Sequence, residues 1–359
     1  MDLVKIGIIG CGRISDLHAS GYLADARARI VAVCDTDPAR AQAKAREWGA
    51  EAWYVGYREL LADSRVDAVD IITPQRSHEG MVLEALAAGK HVSVQKPMTV
   101  DLDSADRMVA AAEAADGKVF KLSENYIFYP PLVLAKHIID EGQIGEPTSM
   151  RIKFISGSSG GWDVPASAWD WRKDEHIRGY GMQTFDHGHH MWSVAWYLMG
   201  EVERVLAWID SVDGAIDCPA EIIWKYKGAP KYGSCDYSHG TALHIPSRYY
   251  ANDEWFEVTG SEGIVMVNRC TGNICGGAPV RLFRDDHWTE FADVDSDWAA
   301  GFAGSTANFV SAILGTEAPA LSAERGREVL RMDLAIQESA RVGHEIELAK
   351  FRGKPTAVE

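Results

Sequence analysis

The sequence of 359 residues lacks any apolar run close to the ~20 residues that a membrane-spanning helix needs. It is also poor in basic residues: 36 Lys and Arg stand against 52 Asp and Glu, and the formal net charge is −16. Because nucleic acids are bound largely through basic contacts to phosphate, this balance argues against a nucleic-acid partner. The first strand-like run begins near Val4, which leaves no room for a secretory signal peptide. We therefore expect a cytoplasmic protein without a membrane partner.

Cysteine is scarce as well, with six residues in the chain. Cys270 and Cys275 have four residues between them, not the two that are typical of a zinc or redox pair. Cys11 and Cys34 lie within the glycine-loop motif described below, where a disulfide bridge has no evident role. We therefore predict that all six thiols are reduced, as is usual in a cytoplasm.

Over the first 125 residues, short apolar runs alternate with segments of helical composition. The runs cover residues 4–9, 30–34, 68–72, 91–94 and 119–122, and the helical segments cover residues 38–48, 77–88 and 102–115. Continuous apolar runs indicate strands that are buried on both faces. Their alternation with helices predicts βαβ units and a doubly wound parallel sheet, so the expected fold class is α/β.

From about residue 146 the pattern changes to strands that are joined mostly by turns. Strand-like segments cover residues 149–155, 202–210, 221–226, 231–237, 255–259 and 264–268, and one long helix is expected over residues 181–198. They predict a C-terminal α+β domain built on a large, mostly antiparallel open sheet. Residues 157–179 show no period, so a long irregular loop is expected there. The length suggests two domains, which we place at residues 1–126 and 127–359.

The second domain also bears on the oligomeric state. Most strands after residue 200 lack helices that would cover an outer face of the sheet. A large exposed apolar face is unusual in a monomer, so we expect a homodimer or a homotetramer.

A glycine-rich turn directly follows the first strand. The motif GCGRIS at residues 10–15 matches the GxGxx(G/A) pattern that brings backbone close to a pyrophosphate at the positive end of a helix, with Ser15 as the third small residue. Taken alone, this motif could be an ordinary turn. However, Asp35 at the end of the second strand is placed to accept hydrogen bonds from the adenosine ribose hydroxyls. The strand, the glycine loop, the helix and the acidic residue follow one another in the order and spacing of a dinucleotide-binding unit. The sequence therefore predicts a Rossmann domain that binds NAD.

Asp35 also bears on which dinucleotide is bound. The next residue is Thr36, so neither Arg nor Lys follows directly to neutralise the 2′-phosphate of NADP. The carboxylate of Asp35 would repel that phosphate. We therefore predict a strong preference for NAD over NADP.

Three further motifs make the prediction more specific. They are TPQRSHE at residues 73–79, QKP at residues 95–97 closing a strand, and the segment 171–190, which contains WRKD and DHGHH. In this order and spacing, together with the glycine loop, they resemble the glucose–fructose oxidoreductase/inositol dehydrogenase family (Gfo/Idh/MocA), closely over residues 4–200. The resemblance implies a Rossmann domain, a mixed α/β domain whose open sheet carries the substrate, and a small-molecule carbohydrate substrate.

The resemblance also implies a set of cofactor-binding residues. They are Gly10, Gly12, Arg13, Ile14, Asp35, Thr73, Pro74, His78, Gln95, Lys96, Asn125, Trp171 and Arg172. Gln95 departs from the family's Glu-Lys-Pro motif, in which the peptide before the proline is often cis. Asn125 falls at the family's Asn-Arg-Arg-Phe stretch, where Tyr126 and Ile127 replace both arginines. The role of His78 stays open between a cofactor contact and a structural position at a helix start.

The resemblance assigns catalysis to Lys96, Asp186 and His190, and the chemistry suits these side chains. Oxidation of an alcohol needs a base for the hydroxyl proton while hydride leaves the same carbon, and histidine suits this task near neutral pH. Lys96 would stabilise the developing alkoxide charge. Asp186, four residues before His190 on one helical face, would orient the imidazole or hold a substrate hydroxyl. Either His190 or Lys96 could accept the proton.

The expected substrate residues are Lys96, Trp162, Arg172, Asp186 and His190. Trp162 and Trp171 lie in the irregular segment and suit the apolar faces of a sugar ring. Arg172 could contact either substrate or cofactor. Trp192 and Trp196 are one helical turn apart and are expected in the core. The histidines at positions 187, 189 and 190 lack the spacing of a zinc site, so no metal ion is expected.

These observations favour an NAD-dependent dehydrogenase that oxidises a secondary or anomeric hydroxyl of a sugar, aldose or cyclitol. Two alternatives stay open: a glycosidase that works by transient oxidation without consuming NAD, and a non-catalytic NAD-sensing regulator. The retention of Lys96, Asp186 and His190 argues against the regulator. Gln95 favours an aldose, because some family members that oxidise free aldoses such as apiose carry Gln before Lys-Pro.

Overall fold

The computed structural model of the protein describes residues 3–353 with the exception of residues 213 and 215. This part of the chain forms two compact units. The first unit combines the residues up to Asn125 with Phe302–Leu330, and the second combines Tyr126–Gly301 with the residues from Arg331 onward. The chain therefore enters the first unit twice.

The first unit contains a six-stranded sheet. Its strands are β1 (Val4–Ile9), β2 (Ala28–Cys34), β3 (Ala52–Tyr54), β4 (Ala68–Ile71), β5 (His91–Gln95) and β6 (Phe120–Ser123). They lie in the order β3-β2-β1-β4-β5-β6, and every neighbouring pair is parallel. The strand order reverses at β1, which creates the switch point where such sheets bind ligands at the carboxyl ends of their strands. The predicted Rossmann sheet is confirmed.

Helices connect these strands: α1 (Ser15–Ala24), α2 (Pro38–Trp48), α3 (Tyr57–Ala62), α4 (His78–Ala87) and α5 (Leu102–Ala114). Local sequence explains their limits, as α2 shows. The Asp37 side chain accepts hydrogen bonds from the first free backbone N–H groups, Pro38 occupies the first turn, and Gly49 ends the helix in the left-handed region at φ 69°. Strands β4 and β6 are buried at every position, which explains their continuous apolar sequence.

The segment Phe302–Leu330 completes the first unit. It holds most of helix α9 (Ala299–Ile313), whose Phe309 and Val310 are fully buried in the apolar cluster that contains strand β1. The sequence pattern places this segment in the second domain. The structure groups it with the first unit because the apolar face of α9 packs onto the parallel sheet, and periodicity alone does not show which sheet a helix covers.

The second unit contains a nine-stranded sheet within the described residues. Its strands are β7 (Pro147–Ser159), β8 (Val202–Ile209), β9 (Ala220–Tyr226), β10 (Tyr232–His244), β11 (Asn252–Gly260), β12 (Gly263–Val267), β13 (Val280–Arg284), β14 (His287–Phe291) and β15 (Ile346–Glu347). Their order is β14-β13-β12-β11-β7-β10-β9-β8-β15. Strands β7 and β10 are parallel, and the other pairs are antiparallel. The predicted large, mostly antiparallel sheet is confirmed.

The helices of the second unit are α6 (Pro130–Asp140), α7 (Ala166–Ile177), α8 (Gly188–Met199) and the later part of α10 (Ala323–Val342). Helix α6 packs on β12 and β13, and α8 packs on β7. Instead of the loop predicted over residues 157–179, the structure has the end of β7 and helix α7. None of the described apolar side chains of α7 is buried, so the helix leaves no apolar period in the sequence. The helix predicted over residues 181–198 begins instead with a π-helical turn at Met182–His187.

All six cysteine thiols are free, and five of them are buried. Burial raises the pKa of the Cys11 and Cys34 thiols to about 12, so neither is a reactive thiolate near neutral pH. In the part of the chain that the structure describes, no helix combines the length and the apolar character needed to cross a membrane.

Candidate active site

The glycine loop after β1 has the backbone shape that its sequence requires. Gly10 lies in the left-handed region at φ 97°, and a Cβ atom there would stand 2.2 Å from the carbonyl oxygen of Ile72. A Cβ atom on Gly12 would meet nothing within 4 Å. Arg13 is exposed and Ile14 is half-buried where the loop enters α1. The open space beside Gly12 at a helix N-terminus fits the pyrophosphate of a dinucleotide.

Asp35 ties the end of β2 to this loop. Its buried carboxylate accepts hydrogen bonds of 2.9 Å from the backbone N–H groups of Cys11 and Asp37. The guanidinium of Arg40 lies 3.4 Å from the same carboxylate. Thr36, which follows Asp35 in the sequence, is uncharged, but the first turn of α2 brings Arg40 back to the strand end, a contact that the sequence does not reveal. A carboxylate has about four acceptor sites, so Asp35 can still accept from a ribose hydroxyl.

His78 joins two loops at the carboxyl edge of the parallel sheet. It begins α4 and has no exposed surface. Its Nε2 lies 2.7 Å from the carbonyl oxygen of Thr73, and its Nδ1 lies 3.1 Å from that of Pro97. Thr73 also accepts a hydrogen bond from Ser77, while Pro74 beside it is exposed. These contacts give His78 a structural role, and contact of this histidine with the cofactor stays a prediction.

Gln95 ends strand β5 and Lys96 directly follows it; both residues are half-buried. The side-chain oxygen of Gln95 accepts a 2.7 Å hydrogen bond from the backbone N–H of Lys96. The amide nitrogen of Gln95 lies 3.0 Å from Nε2 of His18, a residue outside the motifs that predict the site. The Lys96–Pro97 peptide is cis, as the resemblance implies.

Asn125 follows β6 at the same edge of the sheet. Asn125 is 3% exposed. Within the part of the chain that the structure describes, its amide nitrogen has no hydrogen-bond partner. A buried donor without a partner is costly, and a polar group of a bound ligand would satisfy it. The carboxyl ends of the parallel strands thus carry the glycine loop, Thr73, Lys96 and Asn125, and these residues fit a dinucleotide.

In the second unit, Asp186 is held by Arg172. Asp186 lies on the π-helical turn, its side chain is 12% exposed, and its carboxylate accepts a 2.9 Å hydrogen bond from Nε of Arg172. The guanidinium also lies 4.2 Å from the ring centroid of Trp171, its neighbour on α7. All three residues are predicted as site residues from the sequence, but the ion pair between Arg172 and Asp186 is not, because α7 is not recognisable as a helix.

His190 lies in a buried aromatic and polar cluster. Its ring stacks on Tyr126, with centroids 4.2 Å apart and an interplanar angle of 24°. The Tyr126 hydroxyl lies 3.0 Å from the hydroxyl of Thr271. His187 is beside both rings, and its Nε2 lies 2.8 Å from the carboxylate of Glu254. Burial alone would raise the pKa of the Glu254 carboxyl, but hydrogen bonds from His187 and from backbone lower it below its usual value.

The three histidines of this segment have different partners. His187 meets Glu254 and His190 stacks on Tyr126, whereas Nδ1 of His189 lies 3.6 Å from the buried carboxylate of Asp333. No group of three or more His, Cys, Asp and Glu side chains in the described residues could hold a metal ion.

The tryptophans of the same region have separate environments. Trp192 is fully buried, as predicted, and its indole N–H donates to Asp333 at 3.1 Å, whereas Trp196 is only half-buried. Trp162 packs edge-on against Tyr249 and Tyr250, with centroids 5.4 and 5.3 Å apart. Its contact with substrate stays a prediction.

Two domains of known protein families match successive parts of the chain. Residues 4–122 match the NAD-binding Rossmann fold of the Gfo/Idh/MocA oxidoreductase family, and residues 132–266 match the Gfo/Idh/MocA C-terminal domain. The chain is similar to a D-apiose dehydrogenase of Paraburkholderia graminis, with 30% identity over 74% of this chain and 67% of the relative. It is also similar to a myo-inositol 2-dehydrogenase of Thermotoga maritima, with 25% identity over 98% of this chain and 100% of the relative.

A solved structure shares the fold. An oxidoreductase from Agrobacterium radiobacter, crystallised with NAD+, L-tartaric acid and magnesium, has a TM-score of 0.82 at 23% identity. The similarity covers 96% of this chain and 98% of that structure. The chain therefore belongs to the Gfo/Idh/MocA family of NAD-binding oxidoreductases.

Proposed function

We propose that the protein is an NAD-dependent dehydrogenase that oxidises a hydroxyl group of a sugar, an aldose or a cyclitol. The observation that carries the proposal is the retention of Lys96 at the carboxyl end of β5 together with the buried pair Asp186 and His190. The names of the relatives, an apiose dehydrogenase and an inositol dehydrogenase, support a polyhydroxylated substrate.

In this proposal the first unit binds the dinucleotide. The backbone at Gly10 and Gly12 receives the pyrophosphate, Asp35 accepts hydrogen bonds from the ribose, and the Asn125 amide donates to a polar group of the cofactor. When bound, NAD supplies the acceptor for the hydride. The protein's part is to hold the reacting atoms in place and to supply charge.

The reactive side chains handle the hydroxyl proton and the charge on oxygen. As hydride leaves the carbon, neutral His190 accepts the hydroxyl proton and the oxygen becomes a carbonyl oxygen. The ammonium group of Lys96 stabilises the negative charge that develops on that oxygen. Asp186, fixed by Arg172, orients the substrate hydroxyl or the imidazole. The stacked Tyr126 ring favours the charged imidazole that results.

Within this substrate class an aldose is favoured. Gln95 stands where the family has glutamate, and some aldose-oxidising members carry the same replacement. The similarity to an apiose dehydrogenase supports the same substrate class. We also place the enzyme in the cytoplasm, because its six free thiols suit a reducing compartment.

A spectrophotometric screen tests the proposal. Free aldoses, cyclitols and glycosides are each incubated with NAD, and absorbance of NADH is followed, with Lys96→Ala as the inactive reference. We expect NADH to accumulate in step with oxidised product for at least one free sugar or cyclitol. Cleavage of a glycoside without NADH accumulation would identify a glycosidase that works by transient oxidation. NAD binding without turnover of any compound would identify a regulator.

A further inference from the structure

A buried chain of polar contacts leads to Lys96 within the first unit. Asp70 of β4 and His18 of α1 have no exposed surface, and Oδ2 of Asp70 lies 2.8 Å from Nδ1 of His18. The other ring nitrogen of His18 lies 3.0 Å from the side-chain nitrogen of Gln95. Gln95 in turn accepts a 2.7 Å hydrogen bond from the backbone N–H of Lys96. The chain therefore connects a buried carboxylate with the backbone of a proposed reactive residue.

The two ends of this chain fix the direction of every hydrogen bond in it. A carboxylate only accepts, so Nδ1 of His18 carries the hydrogen that Asp70 receives. The backbone N–H of Lys96 only donates, so Gln95 turns its oxygen toward Lys96 and its NH2 toward His18. Nε2 of His18 must then accept. His18 is therefore neutral, with its hydrogen on Nδ1.

A carboxylate at position 95, as in the family motif, would reverse one of these bonds. It would accept from Lys96 and would also need a hydrogen on Nε2 of His18. The imidazole would then be charged and would lie between two carboxylates. Gln95 and a neutral His18 thus form a matched pair in this protein.

We propose that His18 and Asp70 are positioning residues, which orient the Gln95 amide and through it the backbone at Lys96. The proposal rests on the proposed function, in which Lys96 acts on the substrate. Two further contacts hold the pair in place. The Tyr22 hydroxyl donates to Oδ2 of Asp70 at 3.0 Å, and the Phe302 ring packs against the imidazole with centroids 5.3 Å apart.

The titratable groups around His18 determine what a change at position 95 does. Asp70 comes from β4 and Tyr22 from α1, and Lys121 of β6 interacts electrostatically with Asp70 and Glu124. Helix α9 presents the uncharged Phe302 ring. In Gln95→Glu, the imidazole of His18 lies between two carboxylates, which favour its charged form over the neutral one. The bond to the new carboxylate needs the hydrogen on Nε2, so it is lost when alkaline solution removes that hydrogen.

The pH profile of kcat/KM tests this consequence. Gln95→Glu should add a fall of about tenfold per pH unit on the alkaline side, at lower pH than any alkaline limb of the wild type. Asp70→Asn alone should cost less than about tenfold, because an amide oxygen still accepts from Nδ1. In the Gln95→Glu background, Asp70→Asn removes one of the two carboxylates and should move the new limb roughly 1–3 units toward acid. Gln143→Glu, on the turn after α6, adds the same charge and serves as the control.

The tautomer of His18 gives a readout that does not depend on activity. Protein with 15N-labelled histidine is examined by NMR without substrate, and the His18 resonances are assigned by their loss in His18→Phe. We expect a neutral ring with its hydrogen on Nδ1 in the wild type and a charged ring in Gln95→Glu at neutral pH. A charged ring or an Nε2–H tautomer in the wild type would overturn the proposal, as would Gln95→Glu without the alkaline limb. Full activity of Lys96→Ala would instead overturn the proposed function and leave the His18 tautomer unaffected.

Discussion

At the level of single residues, the proposed reaction depends most on Lys96 and His190. Each acts mainly on the transition state, so its loss lowers kcat and kcat/KM together. We expect His190→Ala and Lys96→Ala each to lose at least about a hundredfold in kcat. NADH affinity, measured by fluorescence titration, should stay near wild type in His190→Ala and weaken modestly in Lys96→Ala. His137→Ala, at an exposed histidine of α6, is the matched control.

The same variants separate the two candidate bases. The acidic limb of the kcat/KM profile should disappear in the variant that has lost the true base. We expect this result for His190→Ala, because the Lys96 ammonium is needed in its charged form. If both variants keep more than a tenth of wild-type kcat on the identified substrate, the catalytic assignment is wrong.

We predict that Asp35 determines the preference for NAD over NADP, and Arg40 modifies the expected result. Wild-type protein should favour NAD strongly, because the Asp35 carboxylate repels a 2′-phosphate. Asp35→Ser with Thr36→Arg should relax this preference, since it removes the repulsion and releases Arg40 from its 3.4 Å contact. Adding Arg40→Ala to these two substitutions should reduce the gain in kcat/KM with NADP. The ratio of kcat/KM values for NAD and NADP measures each step, and equal values in the wild type would contradict the assignment.

Sequence motifs predict the reactive residues but not the residues that hold them in place. Lys96, Asp186 and His190 follow from short motifs. His18 and Glu254 do not, because their partners lie far along the chain: His18 and Asp70 are 52 positions apart, and His187 and Glu254 are 67 positions apart. Such contacts form only after the sheets have formed, so the spacing of residues within a short motif does not predict them.

At the level of elements, the glycine loop permits a paired test of shape and function. Gly10→Ala forces a Cβ to within 2.2 Å of the Ile72 carbonyl oxygen at φ 97°, so it should destabilise the fold by about 1–3 kcal/mol or more. Gly12→Ala meets open space and should leave the melting temperature near wild type while weakening NADH binding. Thermal melts and NADH titrations measure the two effects. Equal melting temperatures for both variants would contradict this account of the loop.

Lys121 joins β6 to α9 and makes stability depend on pH. It is fully buried, and its ammonium nitrogen donates to the Ser305 carbonyl oxygen at 2.7 Å. Burial lowers its pKa to about 7, whereas an unfolded lysine titrates near 10.4. Between these values the folded state binds fewer protons, so this residue makes stability rise with pH. Relative to wild type, Lys121→Met should reduce that slope in denaturant titrations from pH 7 to 10. Exposed Lys5→Met is the control, and an unchanged slope in Lys121→Met would contradict the assignment.

The elements that sequence reasoning finds are those with a clear apolar period. Strands β1, β4 and β6 are recognisable because both faces are buried. Helix α7 is missed because none of its described apolar side chains is buried, and the π-helical turn at Met182–His187 is missed because its first residues share the apolar pattern of α8. Residue spacing also does not reveal that β7 pairs in parallel with β10, since that pairing depends on the whole sheet.

At the level of the whole molecule, we predict a homodimer or homotetramer. Trp208 of β8 and Ile223 of β9 are 55% and 41% exposed, and strand register places Leu206 beside Ile223 on the same face. An interface on this face would bury these side chains. Ile223→Glu should shift the protein toward the monomer in light scattering, whereas Leu23→Glu, at an exposed leucine of α1, should not. A wild-type monomer of 39.4 kDa at micromolar concentration would contradict the prediction.

Synthesis on the ribosome leaves the first unit unfinished until Phe302–Leu330 has been translated. When Asn125 has emerged, all six parallel strands are present, but Phe309 and Val310 of their apolar cluster are not yet made. The carbonyl of Leu321 that pairs with the Leu122 N–H is also missing. Part of the apolar core of the nascent sheet therefore stays uncovered while Tyr126–Gly301 is translated. The cofactor-binding half begins first and is completed late, so chaperones have a long interval in which to bind it.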